Sequence, residues 1–370
     1  MKLGVIKAYM LKEFRELIRS RLIVIVYLLP TMIIILFGYG IRMEVTHART
    51  LLIDNDGSKL SMELAAKFEH SKYFNTREVT VSEEEALHRI KTAKADLLIV
   101  IPSGFERRLL HGVRTEIGVF IDGAFPVRAQ TLAHYVTGVL YDAASRLSLH
   151  PPATLISLNV RNLFNQAMRD EDAIVPGLIG LILLVAPAIL AALLIVKEKE
   201  EGTIFNFFSS PVRKSEFLVA KLTPPFLLHS VNIFVLFLWA TWLFQVPFRG
   251  SFILYLLAAE LYLLSSLGIG LLVSIVTRTQ IVAIVLTVII TIIPSFLYSG
   301  MLMPISSMSG ESKIEAHLYP VMYFNHIVYD SFLIGQGLDS PKIRLYLLIL
   351  AFYGTGLLLL GSVLMKKELQ

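Results

Sequence analysis

Six apolar blocks punctuate the chain, at 22–41, 173–196, 224–244, 252–273, 281–299 and 343–365. Each is close to the ~20 residues that cross ~30 Å of hydrocarbon as a helix. Pro30, Pro187, Pro224, Pro225 and Pro294 fall inside these blocks, where they are expected to kink helices rather than break them. Ahead of the first block, Val5, Tyr9, Phe14, Leu17 and Ile18 recur at roughly helical spacing among lysines and arginines. That pattern predicts an amphipathic helix over 1–21, either lying along a membrane surface or extending the first span.

Between 42 and 172 the pattern returns to that of a soluble domain. Leu51, Leu52 and Ile53 form a short strand-like run closed by the turn residues Asp54, Asn55, Asp56 and Gly57. Residues 60–68 follow helical spacing, 76–81 are rich in strand formers, and Ser82 with Glu85 makes a capping box for a helix reaching Thr92. Residues 97–101 read as a buried strand, 105–111 as a helix, 115–121 as a strand and 126–147 as a long helix. Strands alternating with helices imply an α/β domain with a mixed or parallel sheet. The expected architecture is therefore an α-helical membrane protein with six transmembrane helices plus an inserted α/β extracytoplasmic domain at 42–172. Residues 173–370 supply the other five crossings.

Composition agrees: 55% of residues are hydrophobic and 17% charged, against about 25% charged in an ordinary soluble domain. The net charge of +5 does not imply nucleic acid. The basic residues flank the apolar blocks instead of marking one soluble face, so topology accounts for them. With the amino terminus inside, fourteen lysines and arginines lie in cytoplasmic segments and four outside, as the positive-inside rule requires. Both termini are then cytoplasmic, although Lys342 and Arg344 on the outer flank of the last block pull the other way. The chain has no cysteine, which excludes disulfides and thiolate metal sites. The first block is too long for a cleavable signal peptide, and no small-residue cleavage site follows it.

Candidate chemistry is sparse. Asp54, Asp56 and Asp122 end strands, where acids can bind metal or move protons, but they are also common turn residues. No His or Glu joins them at ligand spacing. The domain's histidines (47, 70, 88, 111, 134, 150) are scattered singly, as solvated surface residues are. There is no Gly-x-Ser-x-Gly and no Gly-x-x-x-x-Gly-Lys-Ser/Thr, so no catalytic residue and no directly bound cofactor or metal is expected. Glu260 lies near mid-depth in the fourth block. A carboxylate there serves a cationic substrate or protons, or it is a hydrogen-bonded group facing a neighbouring helix. His229 in the third block is either a pathway residue or a packed interhelical donor.

The most informative stretch follows the second block. Lys197, Glu198, Lys199, Glu200 and Glu201 lead into Gly202 and Thr203, then Ile204, Phe205, Asn206, Phe207, Phe208, Ser209, Ser210 and Pro211. This reads as a charged helix end, a turn, a short apolar helix and a break. Such a helix transmits motion when a soluble partner grips it, the acids offering charge and the phenylalanines a surface to bury. Alternatively it rests on the membrane.

The Glu200-Glu201-Gly202-Thr203…Ser210-Pro211 pattern at this place resembles the coupling segment of type-2 ABC exporter permeases. Further phrases agree in order and spacing over nearly the whole chain: Asp54-Asn55-Asp56, Ile101-Pro102-Ser103-Gly104-Phe105-Glu106, Asp122-Gly123, Ser299-Gly300-Met301…Pro304 and Tyr319-Pro320…Tyr323-Phe324. The chain is most similar to drug-efflux-like permeases with a large periplasmic domain between the first and second spans. One departure is that Tyr329 and Ile334 stand where relatives commonly carry Arg and Lys.

The resemblance implies a bacterial inner-membrane permease subunit that is not itself an enzyme. ATP would act through a separate ABC ATPase that docks on the cytoplasmic coupling segment 197–222. Glu200, Glu201, Gly202, Thr203, Phe205 and Pro211 would be the coupling residues, and 300–340 an outer re-entrant segment. A second permease copy or a paralogue would complete the pathway, with membrane lipid around it and a periplasmic adaptor protein as a further partner. Two other classes remain. An ion-coupled secondary transporter calls for more intramembrane charge than Glu260 and for internal repeats; a membrane-anchored periplasmic sensor calls for an output domain in place of four further spans.

Overall fold

The computed structural model describes residues 3–20, 22–41, 45–92, 94–113, 115–122, 126–147, 169–209, 212–303, 305–308 and 310–365. The chain falls into two compact units, one of Arg42–Val160 and the other of Met1–Ile41 with Arg161–Gln370.

The chain opens with α1 (Leu3–Arg19) and α2 (Leu22–Gly40), then enters the Arg42–Val160 unit. There β1 (Ala48–Asp54), α3 (Lys59–Glu69), β2 (Phe74–Glu78), α4 (Glu83–Lys91), β3 (Leu97–Ile101), α5 (Phe105–Leu110), β4 (Gly118–Ile121) and α6 (Pro126–Leu147) follow in order. The sheet order is β2-β1-β3-β4, with β1 parallel to both neighbours and β4 antiparallel to β3. Strand alternation sends Leu52 and Ile99 to one face, against Leu64 and Phe68 of α3 and Leu132 and Val136 of α6. Leu51, Ile53 and Leu98 face the other way, against Ala86 of α4. Ser82 caps α4, its Oγ accepting the Glu85 N–H at 3.3 Å.

The second strand begins and ends earlier than the 76–81 expected from strand propensity. Its register pairs Ala48 with Phe74, and Phe74 is buried with its ring 5.5 Å from that of Phe68. Val79 and Val81 leave the strand but still pack against the opposite face.

The other unit is built around α7 (Asp170–Glu200). Five helical segments are long and apolar enough to cross a membrane among the described residues: Asp170–Glu200, Lys214–Leu243, Phe252–Val276, Gln280–Leu297 and Pro341–Leu364. They correspond to α7, to α9 (Lys214–Leu238) continued by a π turn (Trp239–Leu243), and to α10 (Phe252–Val276), α11 (Gln280–Leu297) and α14 (Pro341–Leu364). The short α8 (Ile204–Ser209) joins α7 to α9, and α12 (Glu311–Leu318) and α13 (Pro320–Tyr329) join α11 to α14. In α2, Val26–Gly40 is a shorter apolar helix.

α7 packs against α2, α9, α10, α11 and α13. Its carbonyls accept side-chain hydrogen bonds from two of these neighbours. Tyr329 donates to Ala173 at 2.7 Å, Tyr262 to Gly180 at 2.9 Å and Ser266 to Leu184 at 2.6 Å. Interhelical donors of this kind contribute about 0.6–2 kcal/mol each in a membrane. A Cβ at Gly180 would stand 1.8 Å from Asn325 Oδ1, so glycine permits α13 to approach this closely. The first proline gap is closed by the same means. Pro30 has no N–H for the Val26 carbonyl one turn back, and Asn232 of α9 donates Nδ2 to that carbonyl at 2.9 Å.

Candidate functional site

The charged residues ending α7 do not point together at solvent; they go to different helices. Lys197 meets Glu16 of α1 at 3.1 Å, and Glu198 meets Lys221 of α9 at 2.5 Å. Lys199 donates to carbonyls at the end of α10, those of Ile275 at 3.3 Å, Thr277 at 3.4 Å and Ser274. Glu200 Oε2 accepts from the Gln280 backbone N–H at 2.9 Å and its side-chain amide at 3.1 Å, in the first turn of α11. A cation thus meets the carbonyl end of one helix and an anion the N–H end of the next, as their dipoles favour. Glu201 is the least committed, 3.9 Å from Lys197 with a half-exposed side chain.

Lys221 is the buried centre of this hub. Its side chain is 4% exposed and also contacts Glu13 Oε2 of α1 at 2.9 Å, where Glu13 is 3% exposed. One cation therefore serves two carboxylates, while among the described residues Glu13 Oε1 has only Lys12, at 3.8 Å, and no hydrogen bond. Thr203 Oγ1 donates to Glu198 Oε2 at 2.9 Å, tying the turn after α7 to the same cluster. Glu13, Glu16, Glu198, Glu201, Thr203 and Lys221 all line a cavity of about 200 Å³.

The turn itself is set by Gly202. Its φ of +74° is in the left-handed region, the usual way to close a helix end, and its N–H returns to the Lys199 carbonyl at 3.3 Å. α8 then buries Ile204 against Ile195, Phe217 and Leu271, while Phe205 is 48% exposed. Of the residues expected to couple, Glu201 and Thr203 share the cavity, Glu200 faces α11, and Gly202 and Phe205 shape the turn and the short helix. Pro211 lies outside the described residues, as do the side chains of Phe207 and Phe208.

Lys221, Glu13 and Glu198 were not among the candidates drawn from the sequence. The signal was present: Lys221 is a charge inside the helix that leads into an apolar block, and Glu13 falls between Tyr9 and Leu17 on the apolar stripe of α1. What the pattern does not give is that the two odd residues meet.

The two intramembrane candidates lie apart from this cavity. Glu260 of α10 is half-buried and accepts from Ser230 Oγ of α9 at 2.9 Å. His229 is 1% exposed, with Nδ1 at 3.0 Å from Asn232 Nδ2 and Nε2 unbonded.

In the Arg42–Val160 unit the acidic turn residues are occupied by their own chain. The connections of β1 diverge to β2 and β3, so the crevice at the carboxyl ends of β1 and β3 is where such sheets take ligands. Asp54 fills one side, accepting from the N–H groups of Asp56 at 2.9 Å and Gly57 at 3.1 Å and from Ser61 Oγ at 2.6 Å. Asp56 fills the other, accepting from the N–H groups of Gly104 at 2.6 Å and Glu106 at 3.0 Å, where α5 begins. Hydrogen bonding from Ser58 and from these N–H groups holds the Asp56 carboxyl below its usual range. Two phrases far apart in sequence, Asp54-Asn55-Asp56 and Pro102–Glu106, are thus one structural joint. Asp96, absent from the sequence candidates, is buried and receives Arg49 at 2.8 Å and Arg128 at 3.2 Å. Among the described residues no three His, Asp or Glu side chains converge as metal ligands.

Residues 20–363 match the family described as ABC-2 family transporter protein. Two relatives from Escherichia coli strain K12, the probable multidrug ABC transporter permeases YbhS and YbhR, are each 28% identical to this chain. The YbhS match covers 90% of this chain and 89% of the relative, and the YbhR match 93% and 94%. The inner membrane transport permease YhhJ from the same organism is 25% identical over 70% of this chain and 69% of its own. No solved structure matches the chain.

Proposed function

We propose a mechanism from the premise that the chain belongs to the ABC-2 transporter family and is the permease subunit of an ABC exporter. In this reading a separate ABC ATPase docks on Glu201, Thr203 and Phe205, hydrolyses ATP, and moves the α7–α9 connection. The observation that carries it is the hub at the end of α7. Lys197, Glu198, Lys199 and Glu200 bind α1, α9, α10 and α11 respectively, so one displacement reaches four helices together. Packed helices of this kind switch between discrete arrangements rather than deforming smoothly.

α2 supplies a sixth crossing, which puts both termini and the hub on the cytoplasmic side of a bacterial inner membrane. The Arg42–Val160 unit then lies outside, where it meets a periplasmic adaptor. Two permeases, identical or paralogous, form the pathway between them. The names of YbhS and YbhR support drugs as the substrate class.

The test is a double variant, Glu201→Ala with Phe205→Ala, reconstituted with an ABC ATPase that the unaltered chain stimulates. Membrane insertion should be normal and permease-dependent stimulation of ATP hydrolysis should disappear. Full stimulation in the variant overturns the docking assignment.

A further inference from the structure

At the end of the membrane unit opposite the hub, α12, α13 and the start of α14 line an open cavity of about 440 Å³. Lys313 and His317 of α12, His326 of α13 and Lys342 of α14 all line it, and the lining holds no carboxylate. Of the acids in these segments, Glu315 takes the Tyr298 hydroxyl and Asp330 accepts the Gly337 N–H at 2.9 Å, while Glu311 and Asp339 do not line the cavity. Each imidazole commits Nδ1 to a carbonyl one turn back, His317 to Lys313 at 2.7 Å and His326 to Met322 at 2.9 Å. Nδ1 therefore carries a proton, and Nε2 is a lone-pair acceptor in the neutral ring that donates to an anion only when it is protonated as well. Lys342 Nζ stands 5.4 Å over the Tyr346 ring, which meets His326 at 5.6 Å and Tyr323 at 5.1 Å.

The two lysine ammonium groups on one concavity repel one another unless an anion joins them. Burial, together with the charges of Lys342 and His317, already holds His326 below its ordinary imidazole range, against the opposing bond to Met322. Depth narrows the ligand. Ser299 and Gly300 follow the end of α11 and Lys342 opens α14, so the cavity lies where two apolar helices leave the hydrocarbon. Tyr298 and Tyr319 stack at the same end with rings 5.6 Å apart, as expected of an interfacial aromatic belt.

We propose that this cavity binds a phosphate group, with the Lys313 and Lys342 ammonium groups donating to its oxygens and His317 and His326 lining the site, and that at this depth the phosphate is the headgroup of an anionic phospholipid.

The test uses the full chain in its membrane complex. Native mass spectrometry counts retained phosphatidylglycerol, and calorimetry measures inorganic phosphate binding. Lys313→Gln with Lys342→Gln should lower lipid retention about tenfold, equivalent to 1.4 kcal/mol. Lys342→Arg, which keeps the charge, and Arg344→Gln, outside the cavity, should retain lipid normally. If lipid retention is unchanged but inorganic phosphate binding is lost, the phosphate site stands and its lipid source is overturned. If neither changes, or Arg344→Gln loses as much as the double variant, the site is overturned. The single Lys342→Gln variant, altering an exposed side chain, reads the same contrast should the double variant fail to fold.

Discussion

The two units solve the burial of charge in opposite ways. In Arg42–Val160, the single carboxylate Asp96 has two arginines, and the Arg49 backbone N–H as well at 2.9 Å. In the membrane unit the single ammonium Lys221 has two carboxylates, one of which keeps an oxygen without a hydrogen bond. The first arrangement is saturated, and its arginines are half-exposed, so water takes them up if the acid is removed. The second is short of positive charge and enclosed, so any change in Lys221 strands a buried anion. A brace of the first kind holds one geometry; a hub of the second kind leaves one carboxylate oxygen unbonded and has room to re-pair.

Lys221→Met should show the difference most strongly, costing about 3–5 kcal/mol because Glu13 and Glu198 lose their shared cation. Thermal unfolding of the detergent-purified chain measures this. Adding Glu13→Gln and Glu198→Gln to the same variant should recover most of the loss, and no recovery would break the contrast.

Asp96→Asn should cost less, about 1–3 kcal/mol, and should act through pH. Burial alone would raise the Asp96 carboxyl, but the hydrogen bonds from Arg49 and the charges of Arg128 and Arg49 outweigh it and hold the carboxyl below its ordinary value. A depressed carboxyl stabilises the fold above its unfolded pKa, and that stability is lost as pH falls through the folded value. Protection factors of the β1 and β3 amides in the full chain, taken against the intrinsic exchange rate at each pH, should therefore fall below about pH 4. In Asp96→Asn this acid dependence should flatten; an unchanged profile would remove Asp96 as the brace.

Gly202→Ala should have the smallest effect on stability, about 1 kcal/mol, from strain at a left-handed backbone. A Cβ there meets nothing nearer than Phe205 at 4.0 Å, so crowding adds little. A loss well beyond that figure would mean the turn is bound to more than the hub.

Much of the fold was legible because it is written locally. The run 97–101 became β3 with the expected ends, Ser82 capped α4, and the blocks at 252–273 and 343–365 became helices with ends within a few residues. α9 extends beyond its apolar block: the block begins at 224, yet the helix begins at Lys214. Its first turns are polar because Glu216 and Lys221 are buried against other elements, and a hydropathy window cannot distinguish that from exposure. The candidate site was legible as a position and not as a set of contacts. Glu200 read as an acid offered to a partner; in the fold it meets the first turn of α11.

The sequence by itself determined where five long apolar helices fall, the alternation of the α/β unit, and the charged turn that follows α7. These follow from periodicity, turn chemistry and the solvation cost of each residue, which act over a few neighbouring positions. Only the tertiary structure decided that Lys221 is shared by Glu13 and Glu198, that Asp56 closes the start of α5, and that Asn232 bonds the carbonyl freed by Pro30. Those pairings join residues far apart in the chain, and nothing in local pattern says which buried charge or open carbonyl will meet which donor.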